Sequence, residues 1–188
     1  MSIYRKILFI ILGMITLTIA LSSYQPTQKY LYPTYNMLTG ETQKQIDCLA
    51  KNIYFEAGFE PADGQVAVAL VTLNRVNDPR FPKDICSVVE QKTKSTCQFS
   101  WFCSPPPLKN NTVYDSSLQV ALWVYANYEI LDDTTKGALY YHADYVNPRW
   151  KLEKTTVIGR HIFYKDYYDA KDEYAKNEFT NKQRRGIF

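Results

Sequence analysis

The sequence has little of several features that mark common functional classes. It contains 188 residues with a net charge of only +3, and its basic residues do not cluster before Arg184-Arg185. Such weak and scattered charge does not provide the basic surface that nucleic-acid binding requires, so no nucleic-acid partner is predicted. No internal repeat is visible, and the length suits one domain with appendages.

Long apolar runs are also scarce, since the only one extends from Ile7 to Leu21, behind Arg5 and Lys6. Positive residues before a short apolar run are typical of an export signal, and residues 20–22 offer small side chains for signal cleavage. The alternative is an uncleaved anchor, although fifteen residues form only about 22 Å of helix against a hydrocarbon core of about 30 Å. Both interpretations place the remainder outside the cytoplasm, in the periplasm or cell envelope, and an anchor would hold it at the inner membrane.

Cysteine is limited to four residues, all after the apolar run: Cys48, Cys86, Cys97 and Cys103. An even count in an exported domain suggests two disulfides. Three pairings are possible, and one of them closes a small loop with Cys97–Cys103 and leaves Cys48–Cys86 to connect two helical segments. Free buried thiols are the alternative. No pair has the short spacing that zinc sites favour, and no metal or cofactor is predicted.

Composition divides the chain into four segments. Residues 1–22 are the predicted signal or anchor, and residues 23–41 are a predicted tether, rich in Ser, Pro, Thr and Tyr. Residues 42–165 are the predicted folded domain. Residues 166–188 are dense in charge without a core stripe, which is typical of a solvated tail.

Apolar periodicity predicts helices first and a small sheet last within the folded domain. A helix is expected over residues 41–57, ended by Gly58, and a second over residues 61–76 is apolar on all sides and therefore central. We expect a short helix, an irregular Cys-closed segment and a third long helix next, over residues 82–91, 92–112 and 116–131. Residues 138–142 and 155–164 predict strands, with a turn at Gly159-Arg160. The predicted fold class is α+β, mostly helical.

Glu56 is the candidate general acid. It lies near the end of the first helix, beside the apolar stripe that includes Leu49. Partial burial and the negative end of the helix dipole both raise the pKa of such a carboxyl group, which a proton donor near neutral pH requires. A solvent-facing glutamate at a helix edge is the structural alternative.

Other candidates surround it in the sequence. Glu60 is either a second carboxylate or a first-turn charge of the next helix. Gln98, Phe99, Ser100 and Trp101 fall in the Cys-closed loop, where they could grip a sugar or fill the core with their rings. Tyr140, Tyr141 and His142 lie on a predicted strand, and His161, the second of only two histidines, lies on another.

Four blocks in order resemble the cell-wall hydrolases of the spore cortex-lytic, SleB-like type. The blocks are CLAKNIYFEAGFEPADGQVAVALVTLNRVNDPRFPKDICSVV, CQFSWFC, GALYYHADYVNPRW and IGRHIFY, which together extend from Cys48 to Tyr164. The family's cysteines also fall where the four cysteines of this chain fall. The resemblance implies a compact, lysozyme-like α+β domain that acts on peptidoglycan glycan strands.

The same resemblance implies site residues and chemistry. The bond cut would be that between N-acetylmuramic acid and N-acetylglucosamine, by a lytic transglycosylase with one essential glutamate, Glu56. Ser100 or Tyr141 would support the charged intermediate, Asn74 and Arg75 would close the second helix, and His142 and Trp150 would line the cleft.

One departure from the family and two alternatives accompany this interpretation. The family usually has Arg-Gly where this chain has Gly58-Phe59, so the turn glycine is displaced by one position. A zinc amidase would need several His or Asp ligands, and the chain has two histidines without an HExxH pattern. A degenerate domain that binds glycan without cutting it is the second alternative.

Overall fold

The computed structural model of the protein describes residues 34–166, so the predicted signal and most of the predicted tether and tail lie outside the described residues. A 3₁₀ helix, Tyr35–Met37, precedes five helices and three strands in this part of the chain. The helices are α1 Gly40–Ala57, α2 Ala62–Asn77, α3 Ile85–Val89, α4 Ser100–Cys103 and α5 Asn111–Asn127. The strands are β1 Tyr140–Ala143, β2 Glu153–Ile158 and β3 His161–Lys165. This order confirms the α+β, mostly helical prediction.

The helical core forms around α1 and α2. The apolar stripe of α1 is buried against α2, α3 and α5, with Ile46, Leu49 and Ile53 fully enclosed. Helix α2 is buried on nearly every side, as its continuous apolar run predicts, and its residues from Ala67 to Leu73 are all in the core.

The sheet is antiparallel with strand order β1-β3-β2. Its inner face carries Tyr141, Ile158 and Phe163, which pack with Ala67 and Val71 of α2. Side chains alternate along a strand, so the residues between them point to the opposite, outer face. The register pairs Tyr140 with Tyr164 and His142 with Ile162, which places these four side chains on the outer face.

Both predicted disulfides are present, in one of the three possible pairings. Cys48–Cys86 connects α1 to α3 across 38 residues, and Cys97–Cys103 closes a loop around α4. A bond closing a loop as long as the first removes enough unfolded-chain entropy to stabilise the fold by about 4 kcal/mol.

Several element boundaries differ from their predictions for identifiable reasons. Helix α5 begins five residues early, because the Asn110 side chain caps it by accepting from the Val113 N–H at 3.1 Å. The end of the predicted tether belongs to the domain, since the Tyr35 hydroxyl donates to the Asp47 carboxylate at 2.9 Å. Within residues 34–166, no helix combines the length and the apolarity needed to cross a membrane.

Glycine is needed at position 58, directly after α1, for a steric reason. Its backbone is in the ordinary right-handed region, with φ −59°, so it does not serve as a left-handed cap. A Cβ at this position would lie 2.5 Å from the Tyr54 carbonyl oxygen and 2.9 Å from Val113 Cγ1, at the start of α5. Only glycine fits this approach, and the following Phe59 is 85% exposed.

Candidate active site

Glu56 lies in the last turn of α1, where the buried stripe of the helix directs it toward the sheet. Its carboxyl group is partly buried and meets β1, whose Tyr141 hydroxyl donates to Oε2 at 3.3 Å. Tyr141 belongs to the inner face of the sheet and packs on Phe163, with ring centroids 5.7 Å apart. The fold therefore brings together Glu56 and Tyr141, which are 85 residues apart in the sequence.

Burial controls the protonation of this pair. It raises the pKa of Glu56 above the usual range, because the charged carboxylate loses its water. The hydrogen bond from Tyr141 and the positive charge of Arg75 lower the same pKa, but burial is the larger effect. Burial and the nearby Glu56 charge also raise the pKa of Tyr141 well above its usual value, so its hydroxyl remains a donor.

Arg75 is a buried residue whose positive charge lowers the pKa of Glu56. Its Nε donates to the Leu139 carbonyl at 2.7 Å, just before β1. The guanidinium also lies over the rings of Phe99 and Tyr140, at 5.3 and 5.8 Å from their centroids. The family resemblance implied only a structural role for Arg75, whereas the structure adds an electrostatic effect on Glu56.

Asn74 supports the same junction from the neighbouring position. Its amide nitrogen donates to the Asp133 carboxylate at 2.9 Å and to the Ala138 carbonyl at 3.2 Å. Its amide oxygen accepts from the Tyr128 hydroxyl at 2.9 Å. Asn74 and Arg75 thus attach the end of α2 to the chain entering β1, which places Tyr141 opposite Glu56.

Asn52 is a site residue that sequence reasoning missed. It is fully buried one helical turn before Glu56, donates to Thr72 Oγ1 at 3.1 Å and accepts from the Trp101 indole N–H at 3.2 Å. Hydrogen bonding by its side chain also lowers the pKa of the Tyr141 hydroxyl, against the larger effect of burial. The available signal was a polar residue inside an apolar stripe, four positions before a candidate acid.

The disulfide-closed loop is divided between the core and the site. Phe99 is 4% exposed and packs in the core, which corrects its assignment as a sugar-binding residue. Trp101 stays partly exposed, is held by Asn52 and stacks on Phe55 with centroids 4.6 Å apart. Gln98, with its amide oxygen turned toward Arg75, accepts from both terminal nitrogens at 3.2 and 3.3 Å. Ser100 is exposed at the start of α4.

Glu60 lies in the connection between α1 and α2, and its side chain reaches the turn between β2 and β3. Its Oε2 accepts from the Arg160 backbone N–H at 3.0 Å. Gly159 has φ +56°, a left-handed conformation that favours glycine, and a Cβ there would lie 2.2 Å from the same oxygen and displace the Glu60 carboxylate. The carboxylate therefore holds the hairpin against the start of α2.

Three predicted site residues lie on the side of the sheet opposite Tyr141. Tyr140 and His142 alternate with Tyr141 along β1 and so belong to the outer face, where Trp150 packs against both rings at 6.2 and 5.5 Å. The family resemblance implied that His142 and Trp150 line the cleft, and Tyr140 was a candidate substrate-binding residue beside Tyr141. Their separation follows from strand geometry, because neighbouring side chains point to opposite faces.

The two histidines are separated in the same way. His161 is buried on the inner face, edge-on to the Tyr141 ring at 5.3 Å, and burial lowers its pKa. Within the described part of the chain, no three His, Cys, Asp or Glu side chains come together as metal ligands.

Comparison with known families and structures gives consistent matches. The model of the cell wall hydrolase family matches residues 59–164, which contain Glu60, the disulfide-closed loop and the sheet. The matched segment begins three residues after Glu56. It covers more than half of the 188-residue chain.

Individual relatives point the same way. The spore cortex-lytic enzyme of Bacillus subtilis is 32% identical over 136 residues, covering 68% of this chain and 40% of the relative. That of Halalkalibacterium halodurans is also 32% identical, over 68% of this chain and 37% of the relative. The chain thus spans about two fifths of the length of these curated relatives. The crystal structure of the catalytic domain of the Bacillus cereus SleB protein is 30% identical, with a TM-score of 0.51, covering 65% of this chain and 91% of that one.

Proposed function

Since the chain belongs to the cell wall hydrolase family, we propose that it cuts peptidoglycan glycan strands as a lytic transglycosylase, with Glu56 as its single catalytic carboxyl group. The bond cleaved joins N-acetylmuramic acid to N-acetylglucosamine. The observation that carries the proposal is the partly buried Glu56 carboxyl group, whose pKa is raised by burial and which Tyr141 holds at 3.3 Å. A carboxyl group in this state can donate a proton near neutral pH.

The reaction has two proton transfers, both at Glu56. The carboxyl group first donates its proton to the bridging oxygen while the bond from that oxygen to muramoyl C1 breaks, which leaves positive charge on the sugar. The resulting carboxylate then accepts the proton of the muramoyl C6 hydroxyl as its oxygen bonds to C1. Water is neither consumed nor released, the product ends in a 1,6-anhydro sugar, and Glu56 regains its proton.

Neighbouring residues assist the step in which Glu56 is charged. The Tyr141 hydroxyl and the Arg75 guanidinium both favour the carboxylate, so they limit the cost of losing the proton to the substrate. Tyr141 also restricts the direction in which the carboxyl group points. Gln98, Ser100 and Trp101, on the loop beside α1, are the residues that we expect to contact the sugar.

The arrangement around Glu60 favours an internal nucleophile over water. Glycosidases that hydrolyse with water ordinarily use two carboxyl groups about 5–10 Å apart across the bond. The next carboxylate along this chain, Glu60, accepts the Arg160 N–H at 3.0 Å and supports the β2–β3 turn. One free carboxyl group suffices when the substrate supplies its own attacking hydroxyl.

The place of action that we propose is the cell envelope. Residues 1–22 would deliver the domain there as a cleaved signal, or hold it at the inner membrane if they remain attached. Peptidoglycan lies outside the cytoplasmic membrane, so either arrangement brings the domain to its substrate.

Product analysis tests the proposed reaction. The purified full chain is incubated with peptidoglycan sacculi, and the soluble products are identified by mass spectrometry. We expect muropeptides that are one water lighter than hydrolysis products. Reducing-end sugars would instead indicate hydrolysis, released stem peptides an amidase, and binding without products a non-catalytic domain. Glu56→Gln is the control that should yield no products.

A further inference from the structure

The outer face of the sheet carries a cluster of four rings that the proposed reaction does not use: Tyr140, His142, Trp150 and Tyr164. Trp150 stands at steep angles to the other three, with centroids 6.2, 5.5 and 5.8 Å away. Its side chain is nevertheless 42% exposed. An exposed indole beside three partly buried rings offers aromatic surface to a ligand.

The cluster is held rigidly. His142 Nδ1 lies 2.8 Å from the Ala143 carbonyl, which can only accept, so this nitrogen carries a proton. In the neutral ring, Nε2 then accepts from the Tyr164 hydroxyl at 3.0 Å, and the two rings stack at 5.2 Å. The Tyr140 hydroxyl donates to Asp166 at 3.2 Å. A platform fixed by these contacts loses little entropy when it binds a ligand.

A groove of about 370 Å³ opens beside these rings, within the range of about 300–1,000 Å³ that is usual for ligand sites. Its lining includes His142, Trp150, Tyr164, Asn147 and Arg149. Arg149 has φ +53°, a left-handed conformation that a residue with a Cβ seldom adopts. Such strain is retained mostly where function requires it, and here it immediately precedes Trp150.

We propose that this outer-face groove binds a saccharide unit of peptidoglycan, as a second contact separate from the cleavage site at Glu56. The proposal rests on the proposed function, which supplies the ligand class. A pyranose ring has an apolar face for the Trp150 indole, and its hydroxyl and acetamido groups match Asn147 and Arg149. The sheet separates the two sites, since Tyr141 and the groove residues of β1 point to opposite faces.

A second contact matters most on an insoluble wall. Each contact keeps the other at high local concentration near the strand, so their combined affinity exceeds that of either alone. A glycan fragment too short to reach both sites gains nothing from the second contact. We therefore expect damage to the groove to affect binding and cleavage of sacculi more strongly than cleavage of short fragments.

Retention on sacculi tests the groove without interference from catalysis. All proteins carry Glu56→Gln, and their binding to purified sacculi is measured by sedimentation. Adding Trp150→Ala should weaken binding about tenfold. Tyr125→Ala, which removes an exposed aromatic ring on α5, should leave binding unchanged. Equal binding of the Trp150→Ala and Tyr125→Ala proteins would overturn the proposal.

The Arg149→Gly variant tests the groove with a substitution that should leave the fold intact. Glycine adopts φ +53° without strain, so this variant should unfold no more easily than the parent while it loses the guanidinium. We expect it to weaken binding to sacculi about threefold or more. If both the Arg149→Gly and the Trp150→Ala proteins are folded and both bind sacculi as tightly as the parent, the proposal is overturned.

Cleavage assays separate failure of this proposal from failure of the proposed function. With Glu56 intact, Trp150→Ala should lower the ratio of activity on sacculi to activity on short soluble glycans. An equal loss on both substrates would place Trp150 in the cleavage cleft and overturn the separate site. Activity that persists in Glu56→Gln would overturn the proposed function, whereas the sedimentation result would still decide whether the groove binds glycan.

Discussion

The two faces of the small sheet carry similar residues in opposite settings. On the inner face, Tyr141 and Phe163 pack against α2, His161 lies edge-on to the Tyr141 ring, and the Tyr141 hydroxyl donates to Glu56. On the outer face, His142 stacks on Tyr164 and Trp150 contacts both rings beside an open groove, while Tyr140 contacts Trp150 and the Arg75 guanidinium. Tyrosine and histidine thus occur on both faces of the β1–β3 pair.

The difference shows that burial determines which side chains can shift the pKa of a neighbour. A buried tyrosine beside a carboxyl group shifts protonation, because the absence of water makes the charged forms costly. A ring exposed to water has little effect on the pKa of a neighbouring group, but it offers surface to a ligand. We therefore expect inner-face changes to alter kcat, pH dependence and stability, and outer-face changes to alter binding.

The largest expected effect is that of Glu56→Gln on catalysis. Loss of the general acid should lower kcat on sacculi by about 10²–10⁴-fold, because glutamine cannot transfer the proton. Glu60→Gln should cost much less, since its main contact supports the β2–β3 turn. Steady-state release of muropeptides measures both, and equal losses in the two variants would contradict the assignment of Glu56 as the single acid.

The next largest expected effect is a difference in stability between substitutions on the two faces of the sheet. Phe163→Ala removes a fully buried inner-face ring and should lower the free energy of unfolding by about 3–5 kcal/mol. Val157→Ala, on the exposed side of β2, should change it by less than about 0.5 kcal/mol. Urea unfolding followed by circular dichroism measures both, and similar losses would mean that the outer face is packed rather than open.

The pH dependence of Tyr141→Phe sharpens the role of the inner face. The Tyr141 hydroxyl favours the Glu56 carboxylate, so its removal should raise the pKa of Glu56 further. Activity that requires protonated Glu56 falls as pH rises through that pKa, and the alkaline limb of the kcat profile should therefore move to higher pH. Tyr125→Phe is the matched control, and an unmoved limb in Tyr141→Phe would mean that the hydrogen bond does not tune the acid.

The smallest expected effect concerns stability against pH. Because the pKa of Glu56 is higher in the folded state, ionising it costs folding free energy above that pKa. Glu56→Gln removes this cost and should raise Tm at pH 8. The gain should vanish as pH falls below the ordinary glutamate pKa of about 4.3, where both folded and unfolded states are protonated. A gain that does not depend on pH would contradict this origin.

Much of the fold could be predicted because most of its elements have a recognisable pattern in their own residues. The stripe through Ile46, Leu49 and Ile53 predicted a helix over residues 41–57, and the structure has Gly40–Ala57. The turn at Gly159-Arg160 separates β2 from β3 as predicted. The start of α5 was wrong by five residues, because a capping side chain at Asn110 outweighed the apolar pattern that begins later.

The candidate site was less accessible to this reasoning. The helix position made Glu56 a candidate and the family resemblance selected it, whereas neither marked Asn52, and the resemblance gave Arg75 only a structural role. Both residues affect the Glu56–Tyr141 pair. Phe99 was grouped with Trp101 because both are rings in one loop, and the structure divides them between the core and the surface.

Periodicity and residue chemistry, which are properties of neighbouring positions, were sufficient to predict most of the helices and the hairpin, and the family resemblance selected Glu56 as the candidate acid. They could not specify which face of β1 meets α1, because that choice depends on contacts between residues about 85 positions apart. The fold made that choice by burying Phe163 and Tyr141 against α2, which brought a hydroxyl to Glu56 and left His142 and Trp150 outside. Long-range burial therefore decided which of the candidate residues share a site.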